Sequence, residues 1–312
     1  MDGVIIKSTG SWYLVRLQDG KEVKARLPGR FKLENKKISN PIAVGDKVEL
    51  LPEAENFLIE VITPRKNYIV RKSPKKKHFA HMIAANIDQA VLIASHKRPR
   101  TSLGFIDRFL VTLEAFRIPG YLLINKSDLY SKEEQTALRG IMELYESIGY
   151  QTMMTSFIEE VPHQVGDWLQ AKTTLLSGHS GAGKSTLINA IDPSLQLKTA
   201  EISVQHKQGQ HTTTFAEMFA LPTEPESYII DTPGIKGFGV VDFEANEIGD
   251  YFPEIFALKQ DCKFNNCLHV NEPKCAVKIA LEEGGIAPSR YRSYLQILAG
   301  DEENYRTNSY DF

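Results

Sequence analysis

Hydrophobic residues follow two different patterns along the chain. Up to about residue 71, short segments that alternate apolar and polar residues are separated by turn sequences such as Asp19-Gly20 and Gly45-Asp46. These segments are residues 3–6, 12–17, 22–27, 47–51 and 57–61. Short strands at this spacing predict a five-stranded β-barrel of the oligonucleotide/oligosaccharide-binding (OB) type. The pattern leaves open whether the barrel binds nucleic acid or serves only as a spacer or protein dock.

From residue 86 onward, apolar strands alternate with helical stretches. The predicted strands are residues 87–95, 121–125, 152–155, 173–177 and 227–230, and the predicted helices are residues 103–116, 132–148, 165–169 and 186–191. Successive βαβ units predict a mostly parallel sheet with helices on both faces. Between the two patterns, residues 71–78 form a proline-broken cationic run. We interpret this run as a linker that is either solvated or lies along a phosphate backbone.

Composition narrows the class of protein only a little. The chain has 312 residues, of which 42% are hydrophobic and 24% charged, as in ordinary soluble proteins with two or three domains. The formal net charge is −2, so any nucleic-acid surface must be a local patch. Residues 1–3 begin no signal-peptide pattern, and apolar runs such as residues 90–94 are too short to cross a bilayer. We therefore expect a cytoplasmic protein without a membrane partner, and nothing in the sequence requires more than a monomer.

A glycine-rich motif lies between a predicted strand and a predicted helix. It consists of Gly178, His179, Ser180, Gly181, Ala182, Gly183, Lys184, Ser185 and Thr186. Glycines in this context let backbone N–H groups wrap around phosphates, and the helix N-terminus adds a favourable potential. We expect Lys184 to reach the outer phosphates and the Ser185 hydroxyl to ligate Mg²⁺.

Two further segments are candidates for sensing the state of a nucleotide. Asp231-Thr232-Pro233-Gly234 follows strand 227–230. The Asp231 carboxylate can hold Mg²⁺, and the Gly234 amide can meet the γ-phosphate. Residues 208–214 are polar, and one threonine, for which Thr213 is the candidate, can complete the Mg²⁺ shell. The alternative for this segment is an ordinary surface loop.

A base-recognition motif, Asn125-Lys126-Ser127-Asp128, follows strand 121–124 at the carboxyl edge of the sheet. The Asp128 carboxylate can accept hydrogen bonds from N1–H and N2–H of guanine, which adenine cannot donate. Lys126 would lie along the face of the purine, and Thr155 and Ser156 can add a backbone contact to the base. This motif precedes the phosphate loop, whereas ordinary GTPases have the opposite order.

The cysteines of the chain cluster near its C-terminus with one histidine. Cys262, Cys267, His269 and Cys275 can close a tetrahedral zinc shell, which would be structural because it leaves no open position. The alternative is a set of unmetallated buried thiols. Residues 276–283 and 290–298 are predicted helices, and Arg290, Tyr291, Arg292 and Tyr294 suit either an RNA-binding surface or an ordinary helix face with snorkelling side chains.

Taken in order, residues 125–128, 178–186, 211–214 and 231–234 resemble the nucleotide motifs of the circularly permuted GTPases known as the ribosome small-subunit-dependent GTPase A family. The resemblance covers nearly the whole chain. It implies a multi-domain α/β protein with an OB-like barrel, a circularly permuted P-loop GTPase domain and a helical zinc-binding domain, for which we expect residues 1–72, 73–240 and 241–312. Gln210 departs from the family, which often has arginine at this position.

The resemblance implies a GTPase that binds the small ribosomal subunit and its rRNA in late assembly, where other assembly factors are also possible partners. Ile235 stands where small signalling GTPases have a water-orienting glutamine, and an alkyl chain cannot position water. His211 is the nearest candidate for that role, with a solvent-facing loop histidine as the alternative. We therefore expect slow intrinsic hydrolysis that a partner accelerates.

Two other functions are consistent with parts of the sequence. A P-loop small-molecule kinase would use the phosphate loop, although the motif at residues 125–128 argues against it. A non-catalytic RNA-binding scaffold would use nucleotide only for stability. The permuted order also places residues 235–254 directly between the loop at Asp231 and the cysteine cluster. A movement of that loop driven by the γ-phosphate would therefore pull on the C-terminal domain.

Overall fold

The N-terminal segment folds as a closed five-stranded barrel. The computed structural model describes residues 1–28, 40–72, 80–197, 216–223, 225–232 and 243–300. The barrel strands are β1 (Asp2–Ser8), β2 (Tyr13–Leu17), β3 (Glu22–Arg26), β4 (Lys47–Glu53) and β5 (Asn56–Ile62). They close in the order β1-β2-β3-β5-β4, with β4 returning to β1 and β3 running parallel to β5. Ile5, Val15 and Ile59 fill the interior. This Greek-key closure confirms the predicted OB-like barrel.

A two-stranded hairpin follows the barrel, and the sequence did not predict it. It consists of β6 (Tyr68–Lys72) and β7 (Ala80–Ala85). Arg71 and Lys72 therefore belong to a strand and not to a linker, while residues 73–79 lie outside the described part of the chain. The cationic run hid the alternation because apolar Ile69 and Val70 are too few to define a strand alone. The Ala85 N–H donates to Val44 O across 2.9 Å, which attaches the hairpin to the barrel.

The central sheet is built as the alternation of strands and helices predicted. Its strands are β8 (Gln89–Ala94), β9 (Gly120–Ile124), β10 (Gln151–Met154), β11 (Thr173–Ser177), β12 (Glu217–Leu221) and β13 (Ser227–Asp231), and its helices are α1 (Leu103–Ala115), α2 (Lys132–Ser147), α3 (His163–Leu169) and α4 (Lys184–Ile191). The order is β10-β9-β8-β11-β13-β12. All neighbours are parallel except β12, which runs antiparallel to β13.

Strand β8 lies in the middle of this sheet, and every one of its residues is buried. Leu92 packs into the core that α1 and α2 cover, whereas Val91 and Ile93 pack into the core that α3 and α4 cover. The period of two along the strand thus supplies both faces of the sheet with apolar side chains.

The edge strand β12 joins the central sheet to the barrel. Lys7 of β1 pairs with Glu217 of β12, and their side chains form an ion pair of 2.8 Å. The sequence did not predict β12, because its short apolar run does not distinguish a strand from a turn of helix. The barrel is consequently attached to the strand that immediately precedes β13 and Asp231.

The C-terminal region forms a small helical module with its own core. Its helices are α5 (Pro253–Lys259), α6 (Ala276–Glu282) and α7 (Pro288–Leu298), of which α5 was not predicted. Phe252, Val277 and Tyr294 pack there against Val111 of α1, so α1 is buried between the sheet and the module. Arg290 and Tyr294 are each 1% exposed, so they belong neither to an RNA-binding surface nor to a snorkelling helix face. No helix in the described ranges is long and apolar enough to cross a membrane.

Candidate nucleotide site and metal centre

The phosphate loop connects β11 to α4 in a conformation that two of its glycines make possible. Gly178 and Gly183 have φ angles of 147° and 119°. A Cβ on Gly178 would lie 2.4 Å from Ile93 O, and one on Gly183 would lie 2.2 Å from Asn125 Nδ2. Any side chain at either position would therefore displace the neighbouring loop. The sequence predicted this strand-loop-helix context, and the structure has it.

Lys184 lies at the start of α4 and is 8% exposed. Its ammonium donates to the carbonyl oxygens of Gly178 at 2.9 Å and His179 at 3.3 Å. Burial lowers the pKa of Lys184, while the nearby Asp231 carboxylate acts in the opposite direction. Phosphate oxygens next to this ammonium would favour its charged form further.

Asn125 joins the base-recognition motif to the phosphate loop. It is 3% exposed, and its Nδ2 donates to Ala182 O across 2.8 Å. Its Oδ1 accepts the Phe157 N–H at 3.1 Å from the loop after β10. One amide side chain therefore holds three loops together at the carboxyl edge of the sheet, which explains why Asn is required where the motif has it.

Asp128 is exposed, as a carboxylate that meets an incoming base must be. The Ser156 hydroxyl donates to Asp128 Oδ1 across 2.6 Å. Thr155 acts through its carbonyl, which accepts the Ser127 N–H at 3.0 Å. The sequence predicted Thr155 and Ser156 near the base but missed the side-chain contact that orients Asp128.

Lys126 adopts a left-handed backbone conformation with φ of 69°, and its ammonium donates to Arg98 O. Burial lowers the pKa of Lys126, and Asp128 opposes that shift. Arg98 lies in the loop between β8 and α1, for which the sequence predicted no role.

Asp231 ends β13 beside the phosphate loop and is 3% exposed. Its neighbour Thr232 donates from Oγ1 to Leu176 O at 3.0 Å, which fixes the end of β13 against β11. A buried carboxylate and the Ser185 hydroxyl are oxygen donors of the kind that Mg²⁺ prefers, so the residues present fit this ion. His211, Thr213 and Gly234, which the sequence also assigned to the site, lie outside the described residues.

The cysteine cluster brings four predicted ligands together. The ligand atoms of Cys262, Cys267, His269 and Cys275 all lie within 4.8 Å of one another. Cys262 Sγ is 3.9 Å from Cys275 Sγ and 3.5 Å from His269 Nδ1, and the distance from His269 Nδ1 to Cys275 Sγ is 3.4 Å. A tetrahedral zinc site places sulfur atoms about 3.8 Å apart and sulfur and nitrogen about 3.5 Å apart. The cluster therefore has the dimensions of a Cys₃His zinc site.

Helix α7 supports the loop that carries these ligands. Tyr291 Oη donates to His269 O at 2.6 Å, and Tyr294 Oη donates to Leu268 O at 2.5 Å. The Glu272 carboxylate also accepts the N–H groups of Leu268 and Val270 at 2.8 and 2.9 Å. Tyr291 and Tyr294, which the sequence assigned to either an RNA-binding surface or a helix face, thus hold the loop of the cysteine cluster in place.

Two family models cover most of the chain. Residues 62–241 match the RsgA GTPase model, and residues 2–57 match the RsgA N-terminal domain model. The chain belongs to the RsgA GTPase family. This confirms the resemblance that the order of the motifs indicated, and with it a GTPase.

Members of this family from several bacteria are similar over their whole length. A relative from Christiangramia forsetii, named small ribosomal subunit biogenesis GTPase RsgA, is 54% identical over 315 residues that cover 99% of each chain. The crystal structure of YjeQ from Thermotoga maritima is 32% identical, covers 96% of this chain and 97% of its own, and superposes with a TM-score of 0.76. YloQ, described as a circularly permuted GTPase, is also 32% identical, with a TM-score of 0.71 over 99% of this chain and 96% of its own. The permuted order of the motifs is thus a property that this RsgA-family chain shares with solved relatives.

Proposed function

We propose that this protein is a GTPase that binds the small ribosomal subunit and assists its late maturation, hydrolysing GTP slowly alone and faster on the subunit. The observation that supports the proposal is the hydrogen bond from Asn125 Nδ2 to Ala182 O, through which the segment proposed to recognise guanine contacts the loop proposed to bind phosphate. The relatives named for small ribosomal subunit biogenesis support the choice of partner. The protein would act in the cytoplasm as a monomer. Its flanking domains would contact the rRNA of the subunit.

Each part of the nucleotide has a proposed site. Asn125, Lys126, Ser127 and Asp128, with Thr155 and Ser156, bind guanine, and residues 178–186 bind the phosphates, with Lys184 on the outer ones. Mg²⁺, held by Ser185 and Asp231 with Thr213, would supply charge neutralisation between the phosphates. Gly234 would contact the γ-phosphate. One structural Zn²⁺ would be held by the Cys₃His cluster. The same proposal divides the chain into a barrel of residues 1–72, a GTPase domain of residues 73–240 and a zinc-binding domain of residues 241–312.

The hydrolytic step needs a group that orients water. Ile235 cannot do so, and we assign the role to His211, whose imidazole can accept a proton from water at neutral pH. Slow turnover by the free protein follows from the lack of a water-orienting glutamine at Ile235, and the subunit is expected to accelerate it. A group supplied by the subunit is the alternative source, and a His211→Ala variant that keeps full stimulated turnover would favour it.

Steady-state turnover of GTP with and without purified small subunits tests the proposal. We expect subunits to raise turnover and Lys184→Ala to abolish it. Fast turnover by the isolated protein, or no response to subunits, would contradict the proposal. Release of the γ-phosphate as inorganic phosphate with no acceptor present excludes the kinase alternative. Co-sedimentation with subunits in GTP, GDP and a non-hydrolysable analogue excludes the scaffold alternative if binding depends on the nucleotide.

A further inference from the structure

The loop between β8 and α1, residues 95–102, occupies a central place at the nucleotide edge. Strand β8 lies between β9, which leads to Asn125, and β11, which leads to Gly178. Because neighbouring parallel strands end at the same edge, this loop emerges between the base motif and the phosphate loop. No nucleotide motif includes it, and we call it the β8–α1 loop.

Tyr130 ties the β8–α1 loop to the base motif. Its ring is 6% exposed, its hydroxyl donates to Asn125 O across 2.5 Å, and the same hydroxyl accepts the His96 N–H at 2.9 Å. Burial raises the pKa of Tyr130 to about 12, so the hydroxyl keeps the proton that it donates. The backbone of Asn125 is thus fixed by a residue outside the recognition motif.

A second tie runs through Lys126, whose ammonium donates to Arg98 O in the same loop. Glu134, in the first turn of α2, holds the loop from the side. Its carboxylate accepts a hydrogen bond from Lys97 Nζ at 2.7 Å and approaches His96 Nε2 at 3.5 Å. Just beyond the loop, the ring of Phe105 lies 4.4 Å, centroid to centroid, from the imidazole of His179 in the phosphate loop.

We propose that the β8–α1 loop is a further loop of the nucleotide site and that Tyr130 is a positioning residue for guanine binding. Tyr130 fixes the loop at His96, which keeps Arg98 O where the Lys126 ammonium reaches it. The alkyl chain of Lys126 is then held along the face of the base. This inference rests on the proposed nucleotide site.

The effect of Tyr130 is confined to binding. The base takes no part in the bonds that form or break during hydrolysis, so weaker placement of Lys126 along its face raises the KM and Kd without slowing the chemical step. Loss of the hydroxyl removes its hydrogen bonds to the buried Asn125 carbonyl and to the part-buried His96 N–H. Part of that penalty appears as lost nucleotide affinity.

The chain offers a matched control for Tyr130→Phe. Tyr150 is also 6% exposed, and its hydroxyl donates to a side chain, Glu114 Oε1, at 3.0 Å. It directly precedes β10, at the edge of the sheet opposite the nucleotide site. Tyr150→Phe therefore removes a comparable hydrogen bond and leaves the site intact.

Binding of fluorescent GDP and steady-state GTP turnover of the full chain test the inference. We expect Tyr130→Phe to raise the Kd and KM roughly tenfold while kcat stays within about twofold, and Tyr150→Phe to change none of them. Thermal midpoints are measured for both variants. A wild-type Kd for Tyr130→Phe, whatever its midpoint, would overturn the inference, because only a structural role would remain.

A double-mutant cycle with Lys126→Met tests the route. If Tyr130 acts through Lys126, adding Tyr130→Phe to Lys126→Met changes the Kd by less than about threefold. A full additional tenfold change in that background would overturn the proposed route. Asp128→Ala distinguishes a failure of the proposed nucleotide site from a failure of the role proposed for Tyr130. Wild-type binding by Asp128→Ala would contradict the nucleotide site itself, whereas weakened binding there with no effect of Tyr130→Phe contradicts only the role of Tyr130.

Discussion

Arg290 Nη1 donates to Asp107 Oδ1 across 2.7 Å, in a pair whose members are 1% and 0% exposed and 183 positions apart. The other side of the guanidinium holds Glu254 with two hydrogen bonds, of 2.7 and 3.1 Å. Burial opposes the charge of Arg290, but Asp107 and Glu254 raise its pKa above its ordinary value. One arginine on α7 therefore joins the C-terminal module to helix α1 of the GTPase domain.

Replacing Arg290 with Met should strongly destabilise the protein. The change leaves the carboxylates of Asp107 and Glu254 buried without a cation, which costs about 3–5 kcal/mol of unfolding free energy. Urea unfolding followed by circular dichroism measures this loss. Arg26→Met is the control, because the Arg26–Glu53 pair at 2.8 Å is 51% and 35% exposed and should be worth less than about 1 kcal/mol. Equal losses for the two variants would show that the buried pair carries no special weight.

The residues of the nucleotide motifs could be predicted from the sequence, whereas the buried role of Arg290 could not. Gly178, Lys184, Asn125 and Asp128 were found because nucleotide chemistry requires those residue types at short, fixed spacings. The ion pair of Arg290 with Asp107 was not predicted, because no local pattern indicates a partner 183 positions away. An arginine next to tyrosines on a helix is ordinarily a surface residue.

Contacts between loops are hidden for the same reason. Ser156 orients Asp128 and Tyr130 holds His96 only because parallel strands end side by side, and sequence spacing does not fix which loops then meet. The barrel, in contrast, was predicted from turns and alternation alone, since β1, β2 and β3 pair in chain order and β4 pairs with β5, although the closing pairs β1–β4 and β3–β5 are distant in sequence. Strand β12 was not predicted, because its short apolar run does not distinguish a strand from a turn of helix.

Asp128→Asn should change which purine is bound. An amide cannot accept both N1–H and N2–H of guanine, so we expect GDP affinity to fall by roughly a hundredfold or more. Xanthine presents a carbonyl at position 2, to which the new amide can donate. Affinity for xanthosine diphosphate should therefore rise above that of the wild type. Competition against fluorescent GDP measures both. Unchanged preference for guanine would mean that Asp128 does not contact the base.

Ser156→Ala should weaken guanine binding less severely. The hydroxyl orients Asp128 but does not touch the base, so a loss of about fivefold to tenfold in GDP affinity is expected, as for one charge-assisted hydrogen bond. Ser194→Ala is the matched control, because Ser194 Oγ donates to Asp192 Oδ1 at the same 2.6 Å beyond the end of α4. If both variants bind GDP like the wild type, the Ser156–Asp128 contact has no part in recognition.

Removing the metal should unfold the C-terminal module and leave guanine nucleotide binding largely intact. The residues proposed to bind the base and the phosphate loop follow β9, β10 and β11, whereas the cysteine cluster lies in the C-terminal module. Titration with a chromophoric chelator should release one zinc ion per chain, with loss of helical signal. The GDP Kd is then expected to change by less than about threefold. Loss of nucleotide binding together with the metal would contradict the division into separate domains.

A flexible insertion after Phe238 should uncouple the subunit from hydrolysis. Residues 235–254 connect the loop at Asp231 to the C-terminal module, so a slack connection would prevent movement of one from pulling on the other. We expect basal turnover to stay unchanged and stimulation by small subunits to fall. The same insertion after Gly149, in the turn between α2 and β10, is the control, because it slackens no connection between domains. Helix α1 also joins the two parts through Val111 and through the Asp107–Arg290 pair, and this packing persists in the insertion variant. Full retention of stimulation would therefore refute coupling through the connection and leave α1 as the route between nucleotide and module.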